Sequence, residues 1–494
     1  MLETDVVVIG GGIAGSAAAL AAARKGAEVL LLTKLPDPEE TNTRHAQGGI
    51  IYSGPGDSPE LLVNDILEVG DGVGDTDAAR LLATEGPPLV RRLLIEELGV
   101  PFDRDEKGKR RLTREAAHSV PRIIHHGDTT GAKIQRALTH AVRDERHVTM
   151  LAGARALDLV TSGGRCAGVC VSHRGKVATL ATRSVVLATG GLGALYEHTT
   201  NPSGATGDGV ALALRTGAQV RDLHYVQFHP TALYSSCEES FLISEAVRGE
   251  GGVLLDQDGR EFVDHPLGSL APRDVVAREI QAMMDRTGSP CAYLDITHRP
   301  PSWLKSRFPT IHARCLEDGI DMAYHPIPVV PAAHYACGGV AADTRSRTSV
   351  QGLWAVGEVA GTGLHGANRL ASTSLLEGLV WGWRAGEDAA HPGPVAVGEA
   401  CRAGQQQVPE HAPERAWRHL RSIMWEQAGI VRTGEGLVRG LEKLAALERQ
   451  HGGSDLSGPL LVARTLLENA LVDTRSRGSH YRLDARLEVG RKIV

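Results

Sequence analysis

The sequence has 494 residues with a formal net charge of −6, 42% hydrophobic residues and 58 glycines, which is enough for two or three domains with large cores. The weak negative charge indicates no basic surface for nucleic acid, and no apolar stretch is long enough to span a membrane. Seven cysteines without a C-x-x-C pair favour neither a disulfide framework nor a metal site.

The first predicted element is an apolar strand at 5–9, and the acidic residues before it are not typical of a signal peptide, which predicts a cytoplasmic protein. The strand leads into Gly10-Gly11-Gly12-Ile13-Ala14-Gly15, with the spacing G-x-G-x-x-G. The first glycine of this pattern permits a tight turn, the second lets backbone approach a pyrophosphate, and the third lets a helix pack on the strand. An Ala-rich helix at 16–25, whose N-terminus attracts phosphate, and a strand at 28–33 complete the unit. The unit predicts a dinucleotide site, and a turn without a ligand is the alternative.

The residue type at the end of the second strand distinguishes an NAD site from an FAD site. NAD-binding units carry an acidic residue there, which binds the ribose hydroxyls. This chain has Thr33-Lys34 at that place, and Glu28 lies too early, at the start of the strand. A hydroxyl and a cation suit an adenosine that is held in another way, so FAD is favoured over NAD.

The middle of the chain continues with loops, helices and strands. The predicted elements are a glycine-rich loop at 41–49, helical regions at 77–98 and 132–142, short strands at 148–151 and 166–171, and a buried strand with its glycine turn at 184–191. Asp128 or Thr129 is predicted to cap the second helical region. The last strand ends in Gly190-Gly191, a turn that can bring backbone against the same dinucleotide.

A change of pattern at 223–335, where mixed polar and proline-rich sequence interrupts the alternation, predicts an inserted domain. The α/β pattern returns with a strand at 353–358, and His391-Pro392-Gly393-Pro394 predicts a linker before two helical regions at 414–450 and 458–472. The predicted dinucleotide-binding domain has two parts, 1–222 and 336–395. A capping domain at 223–335 lies between them, and a helical domain at 396–494 follows. The predicted fold class is α/β.

Four clusters of polar residues would be expensive to bury without a ligand. They lie in the runs 228–231, 244–252 with 272–274, 334–339 and 366–375. Because arginine pairs bidentately with carboxylates, several arginines and histidines among glycines favour a small dianionic substrate. Taken singly, each histidine could be structural, and Arg248 or Arg273 could pair with an acidic neighbour. His334 near Cys337 does not make a metal site.

Together these motifs resemble the flavoprotein family that contains succinate dehydrogenase, fumarate reductase and L-aspartate oxidase. The likeness covers almost the whole chain, and its motifs are the glycine run 10–15, Ala46-Gln47-Gly48-Gly49, Phe228-His229-Pro230-Thr231, the run 244–252, Pro272-Arg273-Asp274, the run 334–339 and Asn368-Arg369-Leu370. The resemblance implies bound FAD, a Rossmann-like FAD-binding domain, an inserted α+β capping domain and a C-terminal helical domain.

Two features favour the members of this family that oxidise L-aspartate. Members in membrane complexes carry a histidine, four residues before the A-Q-G-G run, that bonds covalently to FAD. This chain has Asn42 there, which implies noncovalent FAD. The segment 114–125 is similar to one that carries an acid facing the substrate ammonium, and Glu115 matches that acid. In two departures, Ser244 stands where threonine is common and Arg44-His45 replaces an aromatic pair.

The roles of individual residues are implied by the resemblance alone. It implies proton transfer by Arg273 with Glu245 and an ammonium contact for Glu115. The substrate-binding residues that it implies are His229, Thr231, Ser244, His334 and Arg369. The FAD-binding residues that it implies are Gly10, Gly11, Gly12, Ile13, Ala14, Gly15, Lys34, Asn42, Thr43, Ala46, Gln47, Gly48, Gly49, Ala156, Gly190, Asp208, Glu358, Ser374 and Leu375.

The implied reaction is oxidation of L-aspartate to iminoaspartate by hydride transfer to the flavin, with O2 or fumarate as electron acceptor. It would be the first step of NAD biosynthesis through quinolinate, with a quinolinate-forming enzyme acting downstream. A soluble fumarate reductase or a succinate dehydrogenase flavoprotein subunit is the alternative enzyme. A noncatalytic FAD-binding scaffold is the alternative from another class.

Overall fold

The computed structural model describes residues 4–115, 117–235, 241–391 and 407–485. Its centre is a parallel sheet of five strands, ordered across the sheet as Leu353–Ala355, Ser184–Leu187, Val6–Ile9, Val29–Thr33 and Val148–Ala152. The first four of these strands are buried along their whole length and are apolar except for Ser184 and Thr33, as in sheets covered on both faces. The predicted α/β fold with a Rossmann-like sheet is confirmed.

Two parallel helices, Ile13–Arg24 and Thr373–Ala389, cover one face of this sheet. They lie close together because glycine faces the contact. A Cβ atom added at Gly382 would lie 2.3 Å from the carbonyl oxygen of Ala14. Since the helices run in parallel, both N-termini open at the same edge of the sheet, beside the carboxyl end of the Val6–Ile9 strand.

The other face of the sheet shares one continuous core with the C-terminal helices. Val7 and Ile9 belong to this core, and so do Leu420 and Leu466. The helices are Glu414–Ala428, Gly434–His451 and Ser457–Val472. An antiparallel sheet of three strands packs into the same core, with the strands Ala154–Ser162, Arg165–His173 and Lys176–Ala181.

A four-stranded antiparallel sheet forms the centre of residues 226–336, here called the cap. Its strands are ordered Val226–Leu233, Ile327–Ala336, Ala292–Asp295 and Val253–Leu255. Four helices surround it: Glu245–Gly249, Arg273–Thr287, Pro301–Arg307 and Pro309–Glu317. The cap has an apolar core of its own, in which Val276, Leu294 and Ile311 are completely buried.

The remaining elements connect these layers. The helices are Pro59–Val69, Thr76–Leu89, Val90–Glu97, Thr130–Asp144 and Asp208–Arg215, with single turns at Gly193–Leu195, Gly268–Leu270 and Gly357–Val359. The short strands are Ile50–Ile51, Leu112–Thr113, Ile123–Ile124, Val220–Arg221, Gly339–Ala341, Ala360–Gly361, Val431–Arg432 and Tyr481–Arg482. Within the described ranges, no helix is both long and apolar enough to cross a membrane.

Two predicted helical regions are divided in the structure. In the first, Pro87 and Pro88 lie inside the helix Thr76–Leu89, and the chain continues in wider π-type turns through Val90–Glu97. The region at 414–450 forms two helices, because the first ends at Gly429. Residues 1–3, Ala116 of the segment 114–125, most of the predicted linker and the predicted boundary between 395 and 396 lie outside the described residues.

Asp128 caps a different helix from the predicted one. Thr129 is the N-cap residue of Thr130–Asp144, as one of the two predicted alternatives had it, although its side chain makes no capping hydrogen bond. The buried Asp128 carboxylate instead accepts hydrogen bonds from the backbone N–H and hydroxyl of Thr310, both at 2.8 Å, and from Ile311 N–H at 3.1 Å. These bonds lie at the start of a cap helix, so Asp128 joins the cap to the rest of the molecule.

Replacing Asp128 by alanine should lower the free energy of unfolding by about 1–2 kcal/mol, because a helix N-terminus loses its acceptor. Asp75→Ala is the matched control, since Asp75 caps the helix Thr76–Leu89 far from the cap in sequence. Urea denaturation should show similar losses for both variants. Hydrogen exchange in the cap helix at 309–317 should quicken only in Asp128→Ala, and unchanged exchange there would contradict the role of Asp128 in holding the cap.

Candidate active site

A long cleft opens where the two parallel helices begin, at the carboxyl edge of the central sheet. The predicted FAD-binding residues that line it are Gly10, Gly11, Gly12, Ile13, Ala14, Lys34, Asn42, Thr43, Ala46, Gln47, Gly48, Gly49, Gly190, Glu358, Ser374 and Leu375. The predicted catalytic and substrate-binding residues that line it are Glu115, His229, Ser244, Glu245, Arg273, His334 and Arg369.

Four predicted site residues lie outside this lining. Gly15 lies beneath the glycine turn, where an added Cβ would be 1.9 Å from the Gly10 carbonyl oxygen, and Thr231 is completely buried behind His229. Asp208 pairs at 2.8 Å with Lys34, which does line the cleft. Ala156 lies in a strand of the three-stranded sheet, away from the cleft, because its side chain packs against the apolar core.

The glycine turn and its surroundings fit a bound dinucleotide. Gly10 has a φ of +115°, and an added Cβ would lie 2.1 Å from the Ala188 carbonyl oxygen, so the turn requires glycine. Gly12, the N-cap residue of the first helix, has no side chain to cap it, and although the Ile13 N–H donates to Thr43 Oγ1 at 3.0 Å, the absence of a side chain at Gly12 suits the approach of a phosphate. The cleft lining also contains polar atoms that are buried without a hydrogen-bond partner among the described residues, namely Gln47 Oε1, Thr189 Oγ1 and Asn201 Oδ1. Such atoms are expected where a polar ligand binds.

Asn42 and Glu358 meet across the dinucleotide cleft. Asn42 Nδ2 donates to Glu358 Oε2 at 3.2 Å, and the Ala336 backbone N–H donates to the other carboxylate oxygen at 3.0 Å. Burial raises the pKa of the Glu358 carboxyl to about 7, although both hydrogen bonds oppose the shift. The side chain of Asn42 is an amide, so it has no ring nitrogen that could bond covalently to a flavin.

Cationic side chains from distant parts of the sequence converge at one end of the cleft. Arg369 Nη1 donates to Ser374 Oγ at 2.6 Å, and its Nη2 lies 3.1 Å from His334 Nε2. Arg273 Nε donates to Glu245 Oε2 at 2.5 Å. The structure therefore brings the predicted substrate residues of the cap beside those of the central domain.

His229 and His334 are both neutral at pH 7, because burial and the charges of nearby arginines hold the pKa of each ring well below its usual range. The Thr231 backbone N–H donates to His229 Nδ1 at 3.2 Å, so His229 keeps its proton on Nε2. Arg369 donates to His334 Nε2, so the proton of that ring is on Nδ1, 2.7 Å from Thr200 Oγ1.

Two buried carboxylates at this end of the cleft have opposite pKa shifts. Burial and repulsion from Glu245 raise the pKa of Glu115, even though Ser372 Oγ donates to Glu115 Oε2 at 2.8 Å. Burial alone would raise the pKa of Glu245, but the charges of Arg273 and Arg248 lower it. A pair whose environments separate the two pKa values can divide acid and base roles.

Two residues that the sequence did not single out as site residues hold the arginines in place. Gln227 Oε1 accepts hydrogen bonds from Arg273 Nη1 at 3.1 Å and Arg369 Nε at 3.3 Å. The Tyr335 ring centroid lies 4.6 Å from the Arg369 Cζ atom, a cation–π contact. Strand alternation would have found Gln227, because it lies two residues before His229 in the same strand.

Comparisons with known proteins agree with this geometry. A family described as "FAD binding domain" matches residues 5–375. The L-aspartate oxidase of Streptomyces coelicolor is 44% identical over 98% of this chain and 89% of its own length, and that of Mycobacterium leprae is 45% identical over 97% and 91%. The chain belongs to the L-aspartate oxidase family. A solved quinol–fumarate reductase with menaquinol molecules matches with a TM-score of 0.90 at 29% identity, over 97% of this chain and 92% of its own.

Membership of the L-aspartate oxidase family confirms the predicted resemblance and the predicted cofactor. The protein is an FAD-dependent oxidoreductase. The fumarate reductase has the same fold but is less similar in sequence than the L-aspartate oxidases. The roles of single residues in the cleft stay predictions.

Replacing Glu358 by glutamine should remove part of the pH dependence of the stability of the apoprotein. Because folding raises the Glu358 pKa from its ordinary value of 4.5 to about 7, the folded state retains a proton that the unfolded state releases. The associated stability is fully present below pH 4.5 and is lost as the pH rises through 7.

Between pH 4.5 and 8, the wild type should therefore lose about 3 kcal/mol more stability than Glu358→Gln. Urea titrations of the apoprotein at several pH values measure this difference. Glu68→Gln, on the exposed side of the helix Pro59–Val69, should keep the wild-type profile. Identical pH profiles for Glu358→Gln and wild type would contradict the effect of Glu358.

Proposed function

We propose that the protein oxidises L-aspartate to iminoaspartate, with O2 or fumarate as the final electron acceptor. The observation that carries this proposal is the buried group of arginines and neutral histidines at one end of the FAD cleft, with Glu115 lining the same space. The relatives that are 44–45% identical over nearly the whole chain support it. FAD, when bound, supplies the acceptor for the hydride that leaves the substrate Cα.

One substrate carboxylate binds to Arg369. A guanidinium has five N–H donors, and three of these are used by Gln227, Ser374 and His334. One N–H on each terminal nitrogen is left, which matches a bidentate carboxylate. The stacking of Tyr335 on the guanidinium keeps its plane fixed, so the carboxylate is oriented as well as attracted.

The second carboxylate binds to His229 and Ser244. His229 offers its Nε2 proton, because its Nδ1 accepts from the Thr231 backbone. Ser244 Oγ accepts from the Ala246 N–H at 3.3 Å, which leaves the hydroxyl proton for the substrate. Thr231 thus orients His229 from behind and does not touch the ligand space.

Glu115 contacts the substrate amino group and distinguishes aspartate from dicarboxylates that lack it. In this reaction Cα loses a hydride and the ammonium loses one proton, which leaves a protonated imine. A carboxylate whose pKa is raised by burial and by Glu245 is suited to contact the ammonium and to take that proton. A dicarboxylate without an amino group leaves Glu115 unpaired, so the residue favours aspartate over succinate.

Arg273 and Glu245 serve the reduction of fumarate, which needs a hydride and a proton. Arg273 is the proton donor by family resemblance, and Glu245 Oε2 lies 2.5 Å from its Nε, so Glu245 can return the proton. Arg248 lies 3.8 Å from the other oxygen of Glu245 and holds that carboxylate in its charged form.

The setting of the reaction follows from the same proposal. Asn42 leaves FAD bound without a covalent link, so denaturation should release the flavin into solution. Iminoaspartate would be taken up by a quinolinate-forming enzyme in NAD biosynthesis, in the cytoplasm. A soluble fumarate reductase or succinate dehydrogenase flavoprotein subunit is the alternative, and Asn42 and Glu115 are the residues that count against it.

Anaerobic addition of L-aspartate to the purified holoenzyme tests the proposal. The flavin absorbance near 450 nm should fall within seconds and return when fumarate or air is added. Reduction by succinate but not by L-aspartate would instead establish the alternative enzyme. Arg273→Leu should keep FAD and still bind L-aspartate, but it should reduce fumarate at less than about one hundredth of the wild-type rate.

Glu115→Gln should impair oxidation of L-aspartate more than reduction of fumarate. The amide keeps the size and the Ser372 hydrogen bond but loses the charge that pairs with the ammonium. We expect kcat/KM for L-aspartate to fall by about a hundredfold and that for fumarate by less than about fivefold. Steady-state assays in both directions measure the two ratios, and equal losses would show that Glu115 does not read the amino group.

A further inference from the structure

Gln227 lies at the junction of the two active-site arginines and uses its whole side chain there. It is completely buried in the strand Val226–Leu233. Its Oε1 accepts from Arg273 and from Arg369, and its Nε2 donates to Asn368 Oδ1 at 2.7 Å and to the Arg369 carbonyl oxygen at 2.8 Å. An amide can accept two hydrogen bonds and donate two, so the capacity of Gln227 is filled.

The two arginines come from different parts of the molecule. Arg273 is the first residue of a cap helix, and Arg369 lies in the loop before the helix Thr373–Ala389. Their charges repel, and burial together with Arg273 lowers the pKa of Arg369. The guanidinium of Arg369 donates to Gln227, Ser374 and His334, and none of these acceptors is a carboxylate. A neutral group, Gln227, therefore holds the two cations beside each other.

Asn368 makes a second connection between the residues at the two arginines. Asn368 Oδ1, which accepts from Gln227, also accepts from the Arg369 backbone N–H at 3.1 Å. Asn368 Nδ2 donates at 3.0 Å to Asp274 Oδ1, in the residue next to Arg273. The Asn368 amide thus connects the Arg369 backbone to the carboxylate of Asp274, and because Gln227 also donates to Asn368, a change at Gln227 would alter the distance between the guanidinium groups.

We propose that Gln227 is a positioning residue that sets the distance between Arg273 and Arg369, so that a four-carbon dicarboxylate, bound by Arg369 at one end and by His229 and Ser244 at the other, lies against Arg273. This inference rests on the proposed function. A carboxylate at position 227 would act as an internal anion and compete with the substrate for both arginines. An apolar side chain would leave two buried guanidinium N–H groups without an acceptor, so each arginine would move.

Two substitutions separate these effects. Gln227→Glu keeps the shape and the acceptor but adds a charge and loses the donors, whereas Gln227→Met removes the polar bridge and keeps the volume. Gln135→Met is the matched control, because Gln135 is a completely buried glutamine that makes three hydrogen bonds of its own, to Thr41, Gly11 and Thr139.

The dissociation constants of succinate and of butyrate, a monocarboxylate, are measured for the holoenzyme. In both titrations the change in flavin absorbance reports binding. We expect the succinate constant to rise about tenfold in Gln227→Met and about a hundredfold in Gln227→Glu. The butyrate constant should rise less than the succinate constant, because butyrate has one carboxylate and does not depend on the distance between two binding groups, and FAD content should stay at the wild-type level. Gln135→Met should leave the ratio of the succinate and butyrate constants unchanged.

Each other outcome overturns a stated claim. Succinate binding within twofold of wild type in either Gln227 variant would overturn the proposal, and so would equal losses for succinate and butyrate. Loss of FAD from both Gln227 variants would assign Gln227 a structural role only. If the wild type neither binds succinate nor is reduced by L-aspartate, the proposed function fails, and that result is distinct from a failure at Gln227.

Discussion

The site depends on buried positive charge that the protein itself does not fully neutralise. Arg248, Arg273 and Arg369 lie within one region and are buried or nearly so, and the first two share the carboxylate of Glu245. Arg369 is held by neutral acceptors and by the Tyr335 ring. Burying a cation without a counter-charge costs free energy. A dianionic substrate offsets that cost, so substrate binding and charge neutralisation are one event.

The surrounding fold is built to withstand this cost. Gln227 and Asn368 link the cap to the loop that carries Arg369. The C-terminal segment supports the same loop, because the Ala367 carbonyl oxygen accepts from the Ser479 N–H at 2.9 Å and hydroxyl at 2.8 Å. Asp128 adds a further bond between the cap and the central domain. The C-terminal segment therefore contacts the active-site loop directly.

The sequence predicted features that depend on near neighbours in the chain. The buried strands follow from continuous apolar runs, and the roles of Gly10 and Gly15 follow from their spacing in one turn. Asp128 shows where this reasoning stops, because the same capping chemistry serves a helix 182 residues further along. Ala156 is a second example. It matches a position of the family that the resemblance assigns to FAD binding, but its side chain packs on the apolar core and does not line the cleft.

By itself the sequence determined the α/β sheet, the glycine turn, the family and its cofactor, because periodicity, glycine conformation and motif spacing are local properties. Only the tertiary structure decided how the polar residues act on one another. The neutral state of His229 and His334, the opposite pKa shifts of Glu115 and Glu245, and the place of Gln227 all depend on burial and through-space charge. These effects join residues from separate elements, such as Gln227 and Arg369, which lie 142 positions apart, so no local pattern carries them.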